Sequence, residues 1–207
     1  MEINILDLLT YPTNMNRFEK AINLIDQINS EDPITENFEG KEIPKELLYS
    51  HRMSKKLSEF VVDASEHLKI AVRAQHIGRW KIPRSDYPMD RTGYLIWREE
   101  LKKMHAEMAG ILLTEAGYES DFISKVKFLI RKKQLKSDPE TQALEDVICL
   151  VFLEYYFEDF VTKHDSEKVK DILKKTWAKM SEKGQKSALQ LSFSSQSLQL
   201  IQEAIFE

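Results

Sequence analysis

The sequence predicts an all-α fold, a single helical domain spanning residues 1–207. Three observations carry that reading. Apolar residues recur at three- and four-residue spacing along most of the chain. Six glycines and six prolines leave little material for the tight turns of a β architecture. No series of parallel strands is visible between the helical stretches. With 42% hydrophobic and 31% charged residues, the chain has an ordinary globular composition, and 207 residues suffice for one sizeable core.

Taken in order, Asn16 caps a first helix whose inward residues are Phe18, Ala21, Ile22, Ile25 and Ile28. Asp32 and Pro33 close it, and the stretch to Gly40 and Lys41 reads as a surface loop. Pro44 suits the first turn of a second helix carrying Leu47, Leu48, His51, Leu57, Phe60 and Val61. From Ser65 to Trp80 two periods compete. Leu68, Ile70, Val72 and Ala74 alternate as in a strand, whereas Leu68, Val72, His76 and Arg79 fit a helix, which the flanking alanines and charges favour. The loop from Lys81 to Thr92 holds Pro83, Pro88, Arg84, Asp86, Asp90 and Arg91, and reads as a lid or substrate loop.

A long helix then runs from about Tyr94 to Glu115 and stops at Gly117. Asp121 caps the next, with Phe122, Val126, Leu129 and Ile130 inward. Asp138 and Pro139 open a helix that is apolar nearly all round from Leu144 to Phe160, the mark of a central, buried element. Asp165 or Ser166 starts another, ending near Gly184, and Ser195 or Ser197 starts a short last helix.

The net charge of −4 argues against broad nonspecific binding to nucleic acid. Cys149 is the only cysteine, so an intramolecular disulfide is impossible and a reducing compartment is the simple expectation. The first seven residues lack a basic stretch before an apolar one, and the longest apolar run, Val147 to Leu153, is too short to cross a bilayer. These features point to a cytoplasmic protein without a membrane partner.

Four polar residues stand alone on apolar stripes. His51 follows Leu47 by four residues, His76 follows Val72 by four, His105 follows Leu101 by four, and Asp146 lies three after Ala143 and three before Cys149. A buried polar group without a partner costs roughly 1–3 kcal/mol. Three imidazoles and a carboxylate form a ligand set for a divalent zinc, iron, manganese or nickel ion. A hydroxide on such a metal is a nucleophile near neutral pH. The competing reading makes each a hydrogen-bonded core residue. Arg73, His76 and Arg79, spaced by three, line one helix edge and suit phosphate oxygens, although a salt bridge from either arginine to Glu66 or Asp146 serves as well. Lys132, Lys133 and Lys136 add positive charge before Asp138. Trp80 and Trp97 suit either stacking on a base or packing, and Glu107 is a candidate for proton transfer.

The order and setting of these residues resemble the HD-domain superfamily of metal-dependent phosphohydrolases. The segment from His105 to Tyr118 is similar to the third helix of that superfamily. His51 matches its first ligand, His76 the histidine of its His-Asp pair, and Asp146 its distant aspartate. The resemblance implies an HD-like core at about 44–160, with the helices of 165–207 appended. It also implies metal-dependent hydrolysis of a phosphate ester or nucleotide, with a small phosphorylated ligand as partner. One departure bears on the metal: Ile77 follows His76 where the pair has aspartate, so Glu107 or Glu66 would have to substitute. The alternative is a non-catalytic helical module that keeps the arginines for an anionic ligand.

The chain also resembles an all-helical family known as a domain of unknown function and sometimes labelled glutamyl-tRNA synthetase-related. Arg73 to Trp80 and Leu144 to Glu154 carry that likeness. The runs from His76 to Arg79 and from Lys179 to Lys183 look like worn copies of the two class I aminoacyl-tRNA synthetase signatures. Those enzymes hold ATP on a sheet of alternating strands and helices, which the surrounding helical pattern does not provide.

Overall fold

The structure, a computed structural model, describes residues 15–206. The reading of the first seven residues lies outside that range. Within it the chain is almost wholly helical. Helix α1 (Arg17–Ser30) begins at a capping box in which Asn16 accepts from the Glu19 amide and Glu19 accepts from the Asn16 amide. The expected surface loop after it is instead a β-hairpin, β1 (Thr35–Phe38) and β2 (Lys41–Pro44), paired antiparallel. Its two-residue turn, Glu39 and Gly40, has φ of 52° and 77°. That conformation matches the twist of paired strands, and glycine tolerates it without strain.

The expected second helix, α2 (Lys45–Phe60), starts one residue later than Pro44, which ends β2 and occupies the N-cap position. Helix α3 (Glu66–Arg73), capped by Ser65, is shorter than its apolar pattern suggests. The chain leaves the helix at Ala74 and turns through Gly78 at φ 64°. Arg73 ends the helix while His76 and Arg79 lie beyond it, so the three do not share a helix edge. Tertiary burial of Ala74 and Ile77, both fully enclosed, sets this turn.

Helix α4 (Arg91–Ala116) is capped by Asp90 and ends at Gly117 with φ 90°. Helix α5 (Ser120–Ile130) follows, and then α6 (Pro139–Tyr155), whose cap Asp138 accepts from the Thr141 amide. The expected continuous helix to Phe160 breaks at Tyr156, where α7 (Phe157–Lys163) begins. The Tyr156 hydroxyl accepts from Arg52 at 2.9 Å and its ring lies 6.1 Å from that of Tyr49. These contacts fix a bend that periodicity does not show. Helix α8 (Ser166–Lys179) stops before Met180, and Ser181 caps a separate α9 (Glu182–Ala188). Helix α10 (Ser195–Phe206) completes the described chain.

One apolar cluster takes residues from all ten helices, among them Ile25, Met53, Leu68, Leu113, Leu129, Leu150, Phe157, Leu173, Ala188 and Ile201. Helix α6 is buried along most of its length, as its composition implies. The hairpin is the only sheet among the described residues. A synthetase-type parallel sheet is therefore not part of this fold. Among the described residues no helix is long and apolar enough to cross a membrane.

Candidate functional site

A cavity of about 350 Å³ opens between α2, the turn after α3, α4, the α5–α6 connection, α6 and the end of α8. Each wall follows from helical spacing. Helix α4 contributes Tyr94, Trp97, Arg98, Leu101, Lys102 and His105, which recur every three or four residues on one face. Helix α6 presents Glu145, Ile148, Cys149 and Phe152, and α2 presents Lys45, Glu46 and Tyr49. Gln75, His76 and Arg79 enter from the turn after α3. Lys132 comes from the α5–α6 connection and Lys179 from α8.

The lining carries six lysines and arginines against two glutamates, in a chain whose net charge is −4. The two glutamates organise two charged groups. Glu145 pairs with Lys132 at 2.8 Å and with Lys179 at 3.7 Å. Burial alone would raise its carboxyl, but Lys132, Lys179 and Arg98 outweigh burial and hold it below the usual range. Burial pushes the Lys132 ammonium down against the pull of Glu145, so the carboxylate is the securely charged member of that pair. On the other side, Glu46 lies 3.3 Å from His76 Nδ1 and 3.7 Å from Arg79. There burial prevails, and the carboxyl is raised despite Arg79 and Lys45.

His76 stacks on Tyr49 at 4.2 Å with an interplanar angle of 11°. Its Nε2 meets Arg79 Nη1 at 3.3 Å, and a guanidinium only donates, so Nε2 accepts and Nδ1 carries the hydrogen toward Glu46. Burial, reinforced by Arg79, Lys132 and Arg98, drives its imidazolium well below the usual pKa. His105 is buried beside it, ring to ring at 5.9 Å, with its pKa pushed down to about 3 by burial and by His76. Arg79 also lies 4.8 Å over the Trp97 ring. Burial lifts the Cys149 thiol to about 12, which keeps it in the protonated form.

The α5–α6 connection is strained. Lys132, Gln134 and Lys136 all adopt left-handed backbone at φ 52°, 59° and 79°. Each costs about 1 kcal/mol for a residue with a Cβ. The first of these turns puts a buried ammonium on the cavity wall, and the last lets Lys136 donate to the Met180 carbonyl at 3.0 Å.

Of the residues singled out in the sequence, His76, His105 and Arg79 meet at this cavity, together with Lys132 and Trp97. The others lie elsewhere. Arg73 makes a bidentate pair with Asp26, Nε to Oδ1 at 2.7 Å and Nη2 to Oδ2 at 2.5 Å, in place of the Glu66 or Asp146 bridge. His51 joins that cluster at 3.8 Å from Asp26 and is half exposed. Asp146 accepts from the Ser181 amide at 2.8 Å and the Ser181 hydroxyl at 2.6 Å, and so ties α6 to the start of α9. Glu107 is exposed on α4 and pairs with Lys127. No group of three or more His, Cys, Asp or Glu side chains among the described residues is placed to hold a metal ion. The four expected ligands do not fit a shared metal, because they occupy three separate sites. Sequence reading passed over Glu46, Tyr49, Gln75, Arg98 and Glu145. Their signal was charge on a buried stripe, Arg98 and Lys102 beside Trp97, Leu101 and His105.

The profile of a family described as "Domain of unknown function (DUF4202)" matches residues 19–201, nearly the whole described chain. The chain belongs to that family. Both segments that carried the likeness, Arg73 to Trp80 and Leu144 to Glu154, supply cavity residues. No curated protein and no solved structure matches the chain.

Proposed function

We propose that the protein is a helical module that binds a small phosphorylated ligand of nucleotide size in this cavity. The observation that carries the reading is the cationic lining in an acidic chain. Lys132 and Lys179 share one carboxylate, and Arg98 donates to the Tyr94 hydroxyl at 3.2 Å without an ion-pair partner among the described residues. Such a surplus beneath aromatic walls suits an anion attached to a flat ring. Guanidinium and ammonium groups supply paired and point-charge donors to phosphate oxygens. The metal-assisted phosphohydrolase implied by the HD-domain likeness has no support in the positions of His51 and Asp146.

Calorimetric titration with pyrophosphate, adenosine monophosphate and adenosine triphosphate tests this reading. Binding that weakens with added salt is expected. The Arg98→Gln protein should bind about tenfold more weakly, as loss of a charge-assisted hydrogen bond implies, with stability changed by no more than about 0.5 kcal/mol. No heat and no thermal stabilisation with any of the three at millimolar concentration would overturn it.

A further inference from the structure

Two buried polar atoms on the cavity wall have neither a hydrogen-bond nor an ion-pair partner among the described residues: Nε2 of His105 and Oε1 of Gln75. The two residues are 2% and 4% exposed, so bulk solvent does not satisfy them. Their chemistry is fixed by what surrounds them. His105 Nδ1 lies 2.7 Å from the Ile77 carbonyl, which only accepts, so Nδ1 carries the hydrogen. The ring is neutral at physiological pH, and Nε2 therefore presents a bare lone pair. Gln75 can rotate its amide to offer either end. His105 cannot turn over without giving up the Ile77 bond. The Arg79 guanidinium sets a positive field that opposes a cation at this lone pair and exceeds the opposite pull of Glu46. A neutral N–H donor is what the position lacks.

We infer that the cavity recognises an amino-bearing nucleobase, whose exocyclic amine donates to His105 Nε2 and Gln75 Oε1 while the phosphate meets the lysines and arginines. This rests on the reading of the cavity as a phosphorylated-ligand site and narrows it to a class. An amine carries two hydrogens for the two acceptors. Gln75 can turn its amide to meet an oxo group at the same place, but His105 Nε2 cannot, and an oxo group leaves that lone pair facing another acceptor. Sites built to hydrogen-bond a donor reject the analogue that lacks it.

The test is calorimetric titration of the wild-type chain with nucleoside monophosphates in three comparisons: adenosine against inosine, guanosine against inosine, and cytidine against uridine. At least one amino-bearing member should bind about tenfold or more tightly than its counterpart. That ratio should fall toward one in His105→Leu, and to a lesser degree in Gln75→Met, which preserves side-chain length. Equal affinities in all three comparisons overturn the inference, as does a ratio unchanged in both variants. If nucleotides and pyrophosphate bind without discrimination, only this inference falls. If none of them binds, the phosphorylated-ligand reading falls with it.

Discussion

Glu145 and Asp146 are adjacent on α6, equally buried at 3% and 2% exposure, and they serve opposite ends. Asp146 faces the α8–α9 junction, where the Ser181 amide, the Ser181 hydroxyl and the Gln142 amide at 3.1 Å supply three donors. Glu145, about 100° further round the helix, faces the cavity, where two lysines crowd it from a strained loop and a neighbouring helix. One carboxylate is spent on joining helices. The other stands among more positive charge than it neutralises. Burial of a charge does not by itself mark a functional site; the surplus left after counting its partners does.

The largest effect should come from breaking a satisfied cluster. Arg73→Met strips the partly buried Asp26 of its bidentate partner, and breaking such a pair costs about 3 kcal/mol. Asp146→Ala leaves the Ser181 donors unmet, at about 2–3 kcal/mol. Urea denaturation should show both losses, while the folded fraction keeps its affinity for phosphorylated ligands. Loss of affinity in either variant would mean that the division between structural and cavity charges is drawn in the wrong place.

Next comes acidification. His105 is held neutral in the fold with its pKa at about 3, against 6.5 when unfolded. The unfolded chain therefore binds the extra proton below 6.5. The stability present above 6.5 is lost as pH falls toward the folded value. Between pH 6.5 and about pH 5, above the range of most carboxylates, this imidazole alone should remove about 1.5 kcal/mol. His76 shifts in the same direction and adds to the slope. Denaturation midpoints across that window should fall steeply, and less steeply in His105→Gln. A flat profile would mean that the two rings are solvated. The smallest effect sharpens the Asp146 side. A methyl at Gly184 would meet Asp146 Oδ1 at 2.6 Å. Gly184→Ala should cost about 1–2 kcal/mol by overpacking, whereas alanine at a helix position ordinarily stabilises.

That glycine shows how a local signal misleads. In the sequence it reads as a helix stop after Lys179; in the fold it sits inside α9 because Asp146 approaches too closely for a side chain. The same limit applies to Tyr156, which bends α6 into α7 through Arg52, and to His51, whose apolar-stripe position leads to an exposed edge.

By itself the sequence determined the all-α class, the caps at Asn16 and Asp138, the end of α4 at Gly117 and the central place of α6. Those features depend on neighbours within one or two turns, where propensity, capping and period act. Only the tertiary structure decided which buried charges meet. Asp26 with Arg73, Ser181 with Asp146, and Glu145 with Lys132 and Lys179 join residues from 13 to 47 positions apart. The pairing depends on how helices cross and which way a loop turns. A helical period tells which side of a helix is buried, but not what lies opposite it.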